Sequence, residues 1–354
     1  MFKRIDSALF LPALLLVSIG SIALTSVAPT SYPFHFLYLA LAGVGFLIFS
    51  QIDKRTIRAF SPHLYILGLL LLLITPIFGE NVRGSVRWID LGPITLQTSE
   101  VIKPLLLLFL AHILSQNFGT RRFGLALLIA IPSFILVFLQ PDLGSTIVLI
   151  AGFLGAIFIA GLPSRIILLG ILIMFIGIPL SWQFLAPYQK ERIHSFLNPE
   201  ADPLSSGYNS IQSKIAVGGG GLTGQGLGQG TQSQLLFLPE KHTDFIFAAI
   251  SEELGFIGAT LIIASFGVLL WRIIVTIKKD NDIFSQIFLS GAFFIIFVQA
   301  TVNIGMNLGL LPITGIPLPF VSSGGSSLLS MAVLLGIASS LGSTLRERRF
   351  SGII

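Results

Sequence analysis

The sequence predicts an all-α polytopic membrane protein, and three observations carry that prediction. Of its residues, 53% are hydrophobic and only 10% charged, with a mean hydropathy of +0.90, whereas soluble domains are about a quarter charged. Several apolar runs reach the roughly 20 residues that a helix needs to cross a bilayer core. The runs are continuous, without the apolar–polar alternation of a membrane β-barrel. The whole chain, 1–354, reads as a single integral membrane domain.

The apolar runs place ten spans at roughly 8–27, 33–51, 62–79, 99–116, 122–140, 144–161, 164–185, 244–276, 282–308 and 325–344. The first follows Lys3 and Arg4 and runs to Leu24. That is longer than the apolar stretch of a signal peptide, and no cleavage site follows, so it is expected to be an uncleaved helix. The eighth is long enough to tilt or to project beyond the bilayer. With a cytoplasmic N-terminus, the inner segments hold Lys3, Arg4, Lys54, Arg55, Arg58, Arg121, Arg122, Arg165, Arg272, Lys278, Lys279, Arg346, Arg348 and Arg349. The outer segments hold Arg83, Arg87, Lys190, Arg192, Lys214 and Lys241, so 14 cations face 6. Both termini are therefore expected in the cytoplasm. The net charge of +5 reflects this bias and gives no reason to expect a nucleic-acid partner. There is no Cys, which excludes disulfides, thiolate catalysis and Cys-ligated metals.

Two outer loops are long. Residues 79–97 read GENVRGSVRWIDLGPITLQ, and residues 186–243 form a large extracytoplasmic loop between spans seven and eight. Long loops in compact proteins are usually functional or disordered. Within the second, Tyr208 to Val217 is expected to form a short interfacial helix. The run GGGGLTGQGLGQG that follows lacks the GK[ST] ending of a phosphate-binding loop, and no strand precedes it. Two readings of it stay open: turns that need positive φ and close backbone approach, or N–H groups that cradle a lipid phosphate.

The loop ends in LPEKHTDFIFA, where Glu240, Lys241, His242 and Asp244 crowd the mouth of the eighth span. Asp244 reads as a helix-start carboxylate facing the positive helix end, or as a partly desolvated general base. His242 is the alternative base. Glu252 and Glu253 lie further down the same span, where ionisable groups are functional or paired. Glu100 and Lys103 share a helix face at the start of the fourth span and are spaced to pair. Asp142 follows Pro141 at an outer helix edge. Arg83 and Arg87 precede Trp88, as interfacial anchors or as a grip on phosphate. PITGIPLPFVSSGGSS, 312–327, is uncharged and rich in Pro and Gly, and non-helical backbone of this kind lines a cavity when it lies near membrane depth. The residues thus predict an outward-facing polar cavity for an amphiphilic, anionic substrate.

GSVRWIDLG with QTSEVIKP, then QPDLGST, then YNSIQSKIAVGGGGLTGQGLGQGTQSQLLFLPEKHTDFIFAAISEELG, then NIGMNLGLLPITGIPLPFVSSGGSS resemble in order the signature blocks of the SEDS family (shape, elongation, division and sporulation proteins). GTQSQL before LPE, and KHTDFIF, look more like RodA than FtsW. QTSEVIKP departs from the family's usual QPSE, and that missing Pro bears on the entry to the fourth span.

The resemblance implies a peptidoglycan glycosyltransferase in the bacterial cytoplasmic (inner) membrane. Its substrates would be lipid II and the growing glycan chain, and its role cell elongation and rod shape. It implies a class B penicillin-binding protein as partner, beside other elongation-complex membrane proteins. The family's essential Asp falls on Asp244, its cavity Glu and Lys on Glu100 and Lys103, and its DLG-block acid on Asp142. Asp244 would be the base, with Lys103, Arg83, Arg87 and Lys214 as cations near pyrophosphate and Trp88, Glu240 and His242 as further substrate contacts. A divalent cation, Mg or Mn, is a candidate to share the charge, although the sequence has no dedicated metal site. The alternative is a lipid II flippase or other transporter. No inverted repeat supports it, and the polar groups gather on the outer side instead of the midplane.

Overall fold

The computed structural model describes residues 6–82, 85–92, 94–116, 119–161, 183, 187–202 and 207–350, with side chains to 342 in the last helix. Long helices occupy nine of the ten expected positions. They are α1 (Ser7–Val27), α2 (Tyr32–Gln51), α3 (Lys54–Phe78), α4 (Thr98–Leu114), α5 (Arg121–Leu139), α6 (Leu143–Ile159), α10 (Ile246–Lys279), α11 (Ile283–Asn307) and α12 (Gly325–Phe350). Among the described residues between α6 and α10 lie three short α-helices, α7 (Pro187–Leu197), α8 (Tyr208–Gly219) and α9 (Thr231–Gln234). The expected seventh span, 164–185, and Arg83 fall outside the described residues. Among the described residues seven helices are long and apolar enough to cross a membrane, and Leu143–Ile159 is a shorter apolar helix. The helix expected over 208–217 is α8.

Polar residues start the helices where the apolar periodicity leaves them free. Asp6, Asp53, Asp142 and Asp282 each accept an N–H of the first turn of α1, α3, α6 and α11. The helices pack mainly as α2 with α12, α6 with α11, α3 with α4 and α1 with α10. Their shared core includes Leu16, Leu106, Phe247, Phe288 and Leu334.

The two ends of the bundle differ in chemistry. At one, Arg272 Nη2 reaches Asp6 Oδ2 at 2.7 Å, Lys54 Nζ reaches Asp282 Oδ2 at 2.5 Å, and Ser340 Oγ donates to the Ile52 carbonyl at 2.6 Å. Arg58, Arg122 and Lys279 belong to the same end, which gathers the cations expected in the cytoplasm. At the other end lie the loops quoted above.

The 79–97 segment, expected as a loop, is a three-stranded antiparallel sheet: β1 (Glu80–Val82), β2 (Ser85–Asp90) and β3 (Thr95–Gln97). Trp88 pairs with Gln97 and Asp90 with Thr95. The Val, Trp and Ile of VRWID have strand propensity, but each run is too short to signal a strand by periodicity alone. Sheet formation satisfies backbone that would otherwise lie unpaired at the bilayer edge.

The eighth span is broken. Gly255 in α10 has φ +65° and ψ −162°, a non-helical conformation. The glycine run of the preceding loop docks against this break, backbone to backbone. Gln225 and Gly226 donate to the carbonyls of Glu252 and Glu253 at 2.9 and 3.0 Å, and Phe256 donates back to Gly221 at 2.9 Å. A Cβ on Gly220 would lie 1.9 Å from the Ser251 carbonyl oxygen, and one on Gly224 2.1 Å from that of Glu253. Close approach is therefore what the glycines provide, and the N–H groups of Gly224, Gln225 and Gly226 are spent on carbonyls instead of on a phosphate.

Candidate active site

A cavity of about 310 Å³ opens at the loop-bearing end. Its wall is drawn from α2 (Phe34, His35, Tyr38), the sheet (Trp88, Thr95, Gln97), the turn before α10 (His242, Thr243) and 317–327. Tyr38 fixes the sheet to α2, because its hydroxyl lies 2.7 Å from the Thr95 N–H and 3.1 Å from the Thr95 carbonyl oxygen. Ser326 receives the Gln97 N–H at 2.8 Å. Ser322 and Ser323 donate to the carbonyls of Thr243 and His242 at 2.6 and 2.8 Å. The uncharged 312–327 segment thus stitches together the sheet and the acidic turn.

Asp244 lies in the turn before α10, half-buried. Its carbonyl accepts from Asn303 Nδ2 at 2.9 Å and Asn307 Nδ2 at 3.0 Å, while Asn307 Oδ1 accepts the Ala248 N–H at 3.0 Å. Both Asn residues are fully buried on α11. A Cβ on Gly315 (φ +72°) would stand 3.6 Å from Asp244 Oδ2, which places the carboxylate beside Gly315, two residues from the cavity-lining Pro317. Asp244 is therefore next to the wall, flanked by His242 and Thr243, which form it.

Glu240 shapes the turn. It has φ +48°, and its carbonyl accepts from Thr243 and Phe245 at 3.1 and 3.2 Å. Lys241 donates to the Ser233 carbonyl. Burial pushes the Lys241 amine below its usual value, against the opposing pull of Glu253 and Glu252. Glu252 receives the N–H groups of Gln232 at 2.7 Å and Ser233 at 2.9 Å, and so caps α9. Glu253 receives the Gly228 N–H at 3.1 Å, the Gln234 amide at 3.2 Å and the Ser26 hydroxyl. The two deep acids are thus paired inside the protein.

Glu100 and Lys103 pair as their spacing predicts, with Lys103 Nζ 2.6 Å from Glu100 Oε1 and both side chains buried. They do not line the cavity. Gln299 connects them to it, since its Oε1 accepts from Lys103 Nζ at 3.0 Å and its Nε2 donates to Ser327 Oγ at 3.3 Å and to the Pro317 carbonyl at 3.1 Å. Asp142 is equally occupied. Its Oδ1 accepts the Ser145 N–H at 3.0 Å, and its Oδ2 accepts from Ser99 Oγ at 3.0 Å and Gln97 Nε2 at 3.2 Å. Arg87 donates to the carbonyls of Gln140 (2.8 Å) and Pro141 and stands 3.9 Å from Asp142. Trp88 lines the cavity. Lys214 is exposed on α8, its stem against Gly309. Among the described residues no three His, Asp or Glu side chains converge as a metal site.

The sequence reading missed His35, Tyr38, Gln97 and Gln299. A lone His or Gln in an apolar span is the one signal that was available, and spacing alone does not say which of them face a cavity.

The "Cell cycle protein" family model that covers FtsW, RodA and SpoVE matches residues 6–347. The chain is 39% identical over 307 residues to "Peptidoglycan glycosyltransferase MrdB" of Escherichia coli K12, covering 86% of this chain and 83% of that protein. It is 40% identical over 353 residues to "Stage V sporulation protein E" of Bacillus subtilis, covering 94% and 95%. A solved structure described as "Structural coordination of polymerization and crosslinking by a peptidoglycan synthase complex" superposes with a TM-score of 0.84 at 32% identity, over 96% of this chain and 98% of that one. With most of the cavity wall, the buried pair and the acidic turn built from the quoted blocks, the chain belongs to the FtsW/RodA/SpoVE family, the SEDS proteins.

Proposed function

We propose that the chain is a peptidoglycan glycosyltransferase of the bacterial inner membrane that polymerises lipid II for elongation, with a class B penicillin-binding protein as partner. The observation that carries this is the polar cavity at the loop-bearing end of a membrane-spanning bundle, the end read as the outer one, with Asp244 at its edge. The names of the relatives, MrdB among them, support the reaction, and the synthase complex supports a cross-linking partner.

The acceptor is a GlcNAc 4-hydroxyl and the donor a MurNAc anomeric carbon that loses undecaprenyl pyrophosphate. Asp244 takes the hydroxyl proton as the new C–O bond forms and the C–O bond to pyrophosphate breaks, with inversion. The two Asn amides fix the height of Asp244 by holding its carbonyl. Lys214 and Arg83 are the cations assigned to the pyrophosphate. Lys103 and Arg87, already engaged by protein, act by positioning: Lys103 through Gln299 and the cavity wall, Arg87 through the α5–α6 turn and Asp142. Mg or Mn enters no step.

The test is polymerisation of lipid II by the purified chain with its transpeptidase partner, comparing wild type with Asp244→Asn. Glycan from the wild type and none from folded Asp244→Asn supports the assignment. Equal rates overturn Asp244 as base. No glycan from either, with lipid II crossing vesicle membranes, overturns the polymerase in favour of a transporter.

A further inference from the structure

The cavity wall carries no Asp, Glu, Lys or Arg among the described residues. Its polar groups are the imidazoles of His35 and His242, the hydroxyls of Tyr38, Thr95, Thr243 and three serines, and the amide of Gln97, with the ring of Trp88 beside them. A pyrophosphate calls for cations or converging charge-assisted donors. A neutral sugar calls for hydroxyl and amide partners with an aromatic surface for its apolar face. At about 310 Å³ the cavity stands at the small end of ligand pockets, and it admits a single sugar ring more readily than a whole lipid-linked disaccharide-peptide.

His35 is the wall residue whose placement needs explaining. It lies in the first turn of α2 and is only 5% exposed. Its Nε2 is 2.9 Å from Ser21 Oγ on α1, and its ring stacks on Tyr32 at 6.3 Å. Nδ1 has no hydrogen-bond partner among the described residues, and it is not one of the atoms sealed into the interior. One ring nitrogen is thus held from α1, and the other stays accessible on a residue that lines the cavity. Burying an imidazole with one nitrogen unmatched is unfavourable unless a ligand or water supplies the partner.

We propose that His35 contacts the substrate: Ser21 fixes the ring from α1, and Nδ1 meets a hydroxyl or acetamido group of a neutral sugar held in this cavity, the pyrophosphate lying outside it. This rests on the reading that the chain acts on a lipid-linked saccharide.

The experiment measures binding of lipid II, and separately of undecaprenyl pyrophosphate, to the full chain in nanodiscs. The second ligand keeps the tail and both phosphates and lacks the sugar. Wild type, His35→Leu, His35→Gln and Ser21→Ala are compared. Losing one hydrogen bond should weaken lipid II binding by roughly 3- to 10-fold in His35→Leu. Gln should restore most of it, Ser21→Ala should fall between, and undecaprenyl pyrophosphate should bind all four equally. That equality also shows that the variants are folded. If His35→Leu fails to fold, Ser21→Ala, the smaller change, decides by the same two ligands. Unchanged lipid II binding in the folded variants overturns the proposal. So does a parallel loss of undecaprenyl pyrophosphate binding, which would make His35 structural or a phosphate contact. Absence of glycan synthesis by wild type would overturn the polymerase reading while leaving these binding ratios to judge His35.

Discussion

Lys103 Nζ lies 2.6 Å from Glu100 Oε1, and both side chains are shut away from the cavity they support. The second oxygen, Glu100 Oε2, has no partner among the described residues. A buried ion pair with one unmatched oxygen contributes little net stability, but removing one partner strands a charge.

Lys103→Met should therefore destabilise the protein by about 3–5 kcal/mol, and adding Glu100→Gln to it should recover most of that loss. Thermal unfolding in detergent checks this. Recovery of stability without recovery of polymerisation would assign the pair to positioning the wall through Gln299.

Asn307 both holds the Asp244 carbonyl and accepts the Ala248 N–H. Asn307→Ala leaves two buried backbone groups with a lost partner, at about 1–3 kcal/mol. The expected result is a lower kcat with a modest change in KM, measured on lipid II, because the carboxylate shifts while the cavity remains.

Gly224→Ala should be far more damaging than Gly92→Ala, although both have positive φ (+85° and +89°). A Cβ at 224 meets the Glu253 carbonyl at 2.1 Å, whereas at 92 it meets nothing within 4 Å. Gly92→Ala bears only the conformational strain, about 1 kcal/mol. Gly224→Ala must also separate the loop from α10. Expression level and unfolding temperature would rank the two, and equal behaviour would refute the docking of the glycine run.

Asp282 titrates below its usual value: burial alone would raise it, but Lys54 and the Ser285 N–H and hydroxyl outweigh burial. A lowered carboxylate contributes stability above its unfolded value of 3.8 and loses it as pH falls through the lower folded value. Asp282→Asn should therefore melt below wild type at pH 7, and the gap should close in acid below 3.8. A gap that persists in acid would mean that capping of α11, not charge, is what is lost. With a partly exposed pair, the effect at neutral pH is about 1 kcal/mol or less.

Helices are legible in this chain because apolar run length is a local quantity: helices stand at nine of the expected positions, seven of them within three residues of both expected ends, while α3 starts eight residues early and α12 runs six residues on. The Glu100–Lys103 pair was legible for the same reason, three residues being one helix turn. The sheet at 80–97 was not, because a three-residue strand exists only through its neighbours. Nor was the break at Gly255, since its cause is a loop thirty residues upstream that presses backbone against backbone.

By itself the sequence determined the membrane-spanning helical class, the sidedness of charge and the acidic turn at Asp244, each a property of contiguous residues. Only the tertiary structure decided who faces the cavity. It withdrew Lys103 and Arg87 into protein contacts and brought His35, Tyr38 and Gln97 to the wall. A side chain's surroundings depend on residues tens to hundreds of positions away, as with Gln97 and Ser326. Desolvation and hydrogen-bond matching act on those neighbours, not on spacing along the chain.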